Sequence, residues 1–62
     1  METTIYENIK RLCDEKKISI TELEKKAGLG NGTIGKWKTA HPTMNSVYMV
    51  ADALNVKVTK II

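Results

Sequence analysis

The sequence predicts an all-α fold of four to five short helices, in a single domain over residues 1–62. Apolar residues recur at helical spacing, typical capping residues stand where helices begin and end, and no segment combines strand alternation with hairpin turns. The chain has 62 residues, of which 42% are hydrophobic, enough for one small core. A single Cys and a single His exclude both an intramolecular disulfide and a Cys/His zinc site. Helix packing, or pairing with a second chain, must therefore supply the stability.

The first predicted helix ends near Lys17. Its apolar stripe consists of Ile5, Ile9 and Leu12, at i, i+4 and i+7 spacing. Cys13 flanks this stripe, and we expect it to behave as a small, partly buried apolar side chain in a reducing cytosol. A redox-sensing role would require a lowered thiol pKa.

The second predicted helix has signals at both ends. Ser19 stands three residues before Glu22, which is the spacing of a capping box. Leu23 and Ala27 lie on one face of the helix. Gly28 follows Ala27 and can adopt the left-handed conformation that commonly ends a helix.

The third predicted helix covers residues 31–38, with Gly30 as its N-cap. Two glycines inside it each cost about 1 kcal/mol of helix propensity relative to alanine. Ile34 and Trp37, spaced i and i+3, must therefore hold this helix in place by packing.

The fourth predicted helix begins after Thr43, its N-cap, and ends at Asn55. Its apolar stripe consists of Met44, Val47, Val50, Ala51 and Leu54. The tail, residues 56–62, is rich in β-branched side chains, which leaves open a last helical turn or two or an extended segment.

The positive charge is concentrated in the second half of the chain. Residues 1–30 contain six basic and six acidic side chains, whereas residues 31–62 contain four basic side chains and only Asp52 as an acid. This asymmetry favours a polyanion-binding surface near Lys36 and Lys38, although surface lysines are also common in proteins that bind no polyanion.

Two stretches resemble phosphate-binding motifs, but each lacks a feature that its motif requires. Residues 30–35 read G-x-G-x-x-G, but that dinucleotide motif requires a strand before the glycines. Residues 30–36 read G-x-x-x-x-G-K, but Trp37 follows where a Mg²⁺-binding loop needs Ser or Thr. His41 lies in a loop without a partner for acid–base catalysis. The sequence therefore predicts no enzyme and no cofactor.

A helix-turn-helix fits the pattern better. With Ile34 and Trp37 facing inward, the helical step of about 100° turns the polar side chains of the third helix outward. An amide, a hydroxyl and a lysine at the free N-terminus of such a helix suit base edges and phosphates. An unrelated helical hairpin has a similar polar exterior, so this pattern alone leaves the nucleic-acid interpretation open.

The sequence resembles the phage-repressor helix-turn-helix family, which is also called the Cro, lambda-repressor-like or xenobiotic-response-element type. The resemblance is centred on residues 19–37 and covers nearly the whole chain. The residues that carry the resemblance are Ala27-Gly28, Thr33-Ile34, Trp37, Pro42, Ala51 and Leu54. It implies a lambda-repressor-like DNA-binding domain with its helix-turn-helix core at about residues 19–38. It further implies a sequence-specific transcriptional regulator that binds double-stranded DNA and whose third helix reads the major groove.

The resemblance also implies which residues contact DNA. The DNA-binding residues would be Thr21, Gly30, Asn31, Gly32, Thr33, Lys36, Lys38 and Thr39. Of these, Asn31, Gly32, Thr33 and Lys36 would face bases, whereas Thr21, Lys38 and Thr39 would meet phosphates.

The chain departs from the family pattern in three places. Ile20 occupies a position where a phosphate-binding glutamine is common. Gly30 and Gly32 replace a serine-rich start of the reading helix, which leaves fewer side chains to contact bases. Lys57 replaces the usual Ser or Asp before the last helix, which we therefore expect to be short.

We expect a homodimer on an inverted-repeat operator, because one domain of this size covers one half-site. Val58, Ile61 and Ile62 form the expected dimer interface. Ile61 and Ile62, like Tyr48 and Met49 beside the stripe of the fourth helix, could instead complete the core. An antitoxin-like or adaptor protein-interaction module on the same fold is the alternative.

The chain lacks an 18-residue apolar run and a signal-peptide pattern, so we expect a cytoplasmic protein without a membrane partner.

Overall fold

The computed structural model describes residues 4–62, so the first three residues of the predicted domain lie outside the described part. Three α-helices are present: α1 spans Thr4–Lys16, α2 spans Ile20–Ala27 and α3 spans Met44–Leu54. A central 3₁₀ helix spans Ile34–Lys38 and a C-terminal 3₁₀ helix spans Val58–Lys60. Residues 4–62 contain no β-strand, which confirms the all-α class. The expected four to five helices are not matched, because only three of the helical segments are α-helices.

The predicted ends of α2 are confirmed. The Ser19 hydroxyl accepts a hydrogen bond from the Glu22 N–H at 3.0 Å, and the Glu22 carboxylate accepts one from the Ser19 N–H at 3.3 Å. These two bonds form the capping box. At the other end Gly28 is left-handed, with φ of 78°, and the chain leaves the helix there.

The ends of α3 are also as predicted. Thr43 accepts a hydrogen bond from the Ser46 N–H at 3.2 Å, and Asn55 ends the helix in the left-handed conformation with φ of 57°. The predicted stripe is buried from Val47 onward. Met44 was wrongly assigned to it: this first residue of the helix lies one turn before the buried stripe and is 51% exposed.

One core joins all five helical segments. Its buried apolar residues are Tyr6, Ile9, Leu12, Cys13, Leu23, Ile34, Trp37, Val47, Val50, Ala51, Leu54 and Ile61. Burial, and to a lesser extent the neighbouring Asp14 carboxylate, raises the pKa of the Cys13 thiol. A redox sensor needs the opposite shift, so the prediction of a small buried side chain fits better.

The C-terminal residues correct the expected dimer interface. Ile61 is completely buried in the core of its own chain and cannot contribute to an exposed apolar surface. The C-terminal 3₁₀ helix folds the chain back toward α1, where the Asn8 side-chain amide donates a hydrogen bond to the Ile61 carbonyl at 2.7 Å. Ile62 is 54% exposed, and Val58 is partly buried against the core.

Among the described helices, none is both long and apolar enough to cross a membrane.

Candidate nucleic-acid interface

Residues 30–39, here called the turn–helix segment, differ from the predicted α-helix over 31–38. A turn at residues 31–33 precedes the central 3₁₀ helix. Gly32 has φ of 87°, which lies outside the helical region and excludes it from any right-handed helix. The N-cap of this helix is Thr33 rather than Gly30. The Gly30 carbonyl instead accepts the Thr33 N–H at 3.1 Å and closes the preceding turn.

The central 3₁₀ helix presents its two large apolar side chains to the core. Ile34 is fully buried and Trp37 is 5% exposed, as predicted. A 3₁₀ helix has three residues per turn, so side chains at i and i+3 lie one above the other. The i, i+3 pair of Ile34 and Trp37 therefore forms a single inward row, and the remaining rows, which contain Lys36 and Lys38, face outward and are exposed.

Glu24 is a structural residue of this segment that the sequence analysis missed. Its side chain is 2% exposed, and its two carboxylate oxygens accept backbone hydrogen bonds from Gly32 at 3.1 Å and from Ile34 at 2.8 Å. The signal was its position in α2: the helical step places Glu24 on the same inward side as Leu23 and Ala27.

These bonds also change which groups the segment offers to a ligand. The free helix N-terminus predicted from the sequence would leave unpaired N–H groups at the start of the third helix. The N–H groups of Gly32 and Ile34 are instead occupied by Glu24, and that of Thr33 is occupied by the Gly30 carbonyl. Side chains, rather than these three backbone N–H groups, are therefore the groups available for a ligand.

The predicted DNA-contact residues are almost all at the surface. Seven of the eight are exposed and one, Thr33, is partly buried. The exposed residues are Thr21, Gly30, Asn31, Gly32, Lys36, Lys38 and Thr39. All but Thr21 belong to the turn–helix segment, whereas Thr21 lies in the first turn of α2.

The charged side chains of this segment have one sign. No acidic residue occurs between Glu24 and Asp52, and Glu24 itself is buried and hydrogen-bonded. The Lys38 ammonium lies over the ring of Tyr6, 5.5 Å from its centroid, which is within the range of a cation–π contact. This contact ties a cation of the turn–helix segment to α1 while the side chain remains exposed.

The described residues bear on the metal site, the histidine and the glycine motif considered in the sequence. No group of three or more His, Cys, Asp or Glu side chains in residues 4–62 is arranged to hold a metal ion. His41 is exposed in the loop before α3, as expected. The G-x-G-x-x-G motif has α2 before it rather than a strand, which agrees with rejecting it as a dinucleotide site.

Gly32 and Gly35 should respond oppositely to alanine. At φ of 87° an alanine is strained, so Gly32→Ala should lower the free energy of unfolding by about 1–2 kcal/mol. A Cβ at Gly35 meets no atom within 4 Å and the backbone there has no positive φ. Gly35→Ala should therefore preserve the stability or raise it by about 0.4–1 kcal/mol. Urea denaturation measures both variants, and a Gly32→Ala protein as stable as Gly35→Ala would contradict the left-handed turn.

A comparison with protein families identifies the family of the chain. A family model described as the Cro/C1-type HTH DNA-binding domain matches residues 8–62, which includes α2, the turn–helix segment and α3. No similar curated protein and no similar solved structure was found.

Proposed function

Because the chain belongs to the family of Cro/C1-type helix-turn-helix DNA-binding domains, we propose that it is a sequence-specific transcriptional regulator of the phage-repressor type. In this proposal the turn–helix segment enters the major groove of double-stranded DNA. The observation that carries it is the division of the central 3₁₀ helix: Ile34 and Trp37 are buried, while the lysine-bearing rows are exposed in a stretch without acidic residues.

Base reading falls to three side chains. The Asn31 amide can pair with adenine, the Lys36 ammonium can donate to guanine, and the Thr33 hydroxyl can donate or accept. Gly32 and Gly35 add no side-chain bulk, and a Cβ at either position would meet only open space, so the duplex can approach the backbone closely.

Phosphate contacts fix the orientation of the domain on the duplex. We assign them to Lys38 and Thr39, at the end of the central 3₁₀ helix, and to Thr21, in the first turn of α2. All three side chains are exposed. Since Ile20 replaces the glutamine expected from the family pattern, the hydroxyl of Thr21 is the polar group that the start of α2 offers.

Selection of bound duplexes from a genomic library, followed by sequencing, tests the proposal directly. The protein should enrich duplexes that share a short motif. If it enriches none, or binds all duplexes equally, sequence-specific recognition is contradicted. The interaction-module alternative would be supported if the protein bound a protein partner with an affinity independent of salt and bound no duplex.

Salt dependence tests the phosphate contacts. The logarithm of the association constant should fall linearly with the logarithm of salt concentration, with a slope of about −0.9 for each phosphate contacted. Lys38→Ala should weaken binding to all duplexes and reduce the size of the slope by about one contact. Lys57→Ala removes the same charge from an exposed position outside the turn–helix segment and is the control. If the salt dependence had the same slope for both variants, Lys38 would not contact a phosphate.

We also propose that two copies bind an inverted repeat. Half-site centres would then lie one helical turn, about 34 Å, apart. With Ile61 in the core, the interface reduces to Val58 and Ile62, and the 54% exposure of the Ile62 side chain supports it. Duplexes with two half-sites at this spacing should bind more tightly than duplexes with one, and sedimentation should find two protein chains on each. A single chain on the two-site duplex would contradict the dimer.

A further inference from the structure

We propose that Glu24 is a positioning residue for DNA binding: its carboxylate sets the conformation in which the turn–helix segment meets the duplex. The inference rests on the proposed function, because it assumes that this segment contacts DNA. Glu24 itself is 2% exposed and belongs to α2, so it acts through the backbone of the segment rather than by touching the ligand.

The geometry fixes the residue at the centre of the turn. One carboxylate oxygen accepts the Gly32 N–H at 3.1 Å and the other accepts the Ile34 N–H at 2.8 Å. Thr33 lies between these two anchored residues. The Lys36 N–H in turn bonds to the carbonyls of Gly32 and Thr33, at 3.3 and 3.2 Å. The anchoring by Glu24 therefore extends along the backbone to Lys36, a proposed base-reading residue.

Apart from the Glu24 bonds, the Gly30–Thr33 turn bond and the contact of Lys38 with the Tyr6 ring hold the outer side of this segment. The central 3₁₀ helix has only five residues, and Thr33 before it forms no side-chain cap bond. Helices of this length are not stable on their own. A Cβ at Gly32 or Gly35 would meet no atom within 4 Å, so neighbouring groups do not confine the backbone there. Ile34 and Trp37 anchor the inner face, and Glu24 supplies the anchor at the turn.

A carboxylate is the side-chain group that matches this task. Its two oxygens only accept hydrogen bonds, and the turn offers two N–H donors. A glutamine at position 24 keeps the size and one acceptor, but its NH₂ group would face an N–H donor. Glu24→Gln therefore removes one anchoring bond and leaves the N–H of Gly32 or of Ile34 without its acceptor.

The same substitution separates positioning from simple charge repulsion. An acidic side chain near the interface repels phosphates, so removing it should tighten DNA binding if electrostatics alone decide. If positioning decides, removing it should weaken binding. Glu15→Gln is the matched control, because it removes the same charge from an exposed position near the end of α1.

The experiment measures the affinity of both variants and the wild type for a duplex obtained by selection, at a temperature where melting curves show each protein folded. Glu24→Gln should bind at least about tenfold more weakly, the size expected from one lost hydrogen bond to a charged group. Glu15→Gln should bind as tightly as the wild type or more tightly. In amide NMR spectra, Glu24→Gln should shift the Gly32 or Ile34 N–H signal and speed its exchange with solvent. A folded Glu24→Gln protein that binds as tightly as Glu15→Gln would overturn the inference.

A measurement on the wild type covers the case in which Glu24→Gln does not fold. The Gly32 and Ile34 amide signals should be protected in the free protein and should keep their shifts when a duplex is added, because the turn is already in its binding conformation. Large shifts of both signals on binding would mean that DNA rearranges the turn, which overturns the inference. Failure of the proposed function has a different result: the wild type binds no duplex, although both amides remain protected by Glu24.

Discussion

Trp37→Ala should unfold a large fraction of the protein. The side chain is 5% exposed and packs in the core beside Ile34, so its truncation should lower the free energy of unfolding by about 3–5 kcal/mol. Natural domains have about 5–15 kcal/mol in total, and a domain of 62 residues lies toward the lower end. Circular dichroism during thermal denaturation measures the loss, since the variant has no tryptophan fluorescence. DNA binding should fall in proportion to the unfolded fraction.

Lys36→Ala is the control from the neighbouring position. Its side chain is exposed, so the stability should stay within about 0.5 kcal/mol of the wild type. Its duplex affinity should nevertheless fall, because a proposed base contact is lost. If Trp37→Ala were stable while Lys36→Ala unfolded, the assignment of the inward and outward rows of the central 3₁₀ helix would be wrong.

Ile61→Lys should also unfold the protein. Ile61 is completely buried, and a lysine there would place a charge in the core without a partner. The cost should exceed the about 2–5 kcal/mol typical of truncating a buried isoleucine to alanine. Urea denaturation at several protein concentrations measures it. If the Ile61→Lys protein were a folded monomer of normal stability, Ile61 would have to lie at the surface.

Ile62→Lys should affect assembly instead. This adjacent side chain is 54% exposed, so the stability of the single chain should change little. If Ile62 forms the proposed dimer interface, the charge should weaken binding to two-half-site duplexes and leave binding to a single half-site unchanged. Equal affinity of Ile62→Lys and wild type for the two-site duplex would exclude Ile62 from the interface.

Local signals predicted the helix ends well. Ser19, Gly28, Thr43 and Asn55 act at their helix ends as expected, because capping depends on a side chain or a φ angle within a few residues of the end. The burial of Trp37 also followed from local spacing, since its i, i+3 relation to Ile34 gives one inward face whether the helix is α or 3₁₀.

The errors concern contacts between distant residues. The third helix was assigned as α because its length and apolar pair fit one, but a carboxylate from α2 takes two of its backbone N–H groups and Gly32 turns left-handed. Glu24 is eight and ten residues from these partners, so the helical pattern that turns it inward does not show which groups it contacts. Ile61 was placed on a surface because spacing near a chain end does not indicate whether the segment folds back.

The hydrogen bond from the Asn8 side chain to the Ile61 carbonyl has a consequence for synthesis on the ribosome. It joins residues 53 positions apart, and the Ile61 side chain fills the core beside α1. A nascent chain released as far as α3 contains the complete turn–helix segment but lacks this last core residue. Because Ile61 completes the core, a chain that has emerged only as far as α3 should be less stable than one whose residue 61 has left the exit tunnel. The turn–helix segment, which is translated earlier, should thus gain its full stability only after residue 61 has emerged.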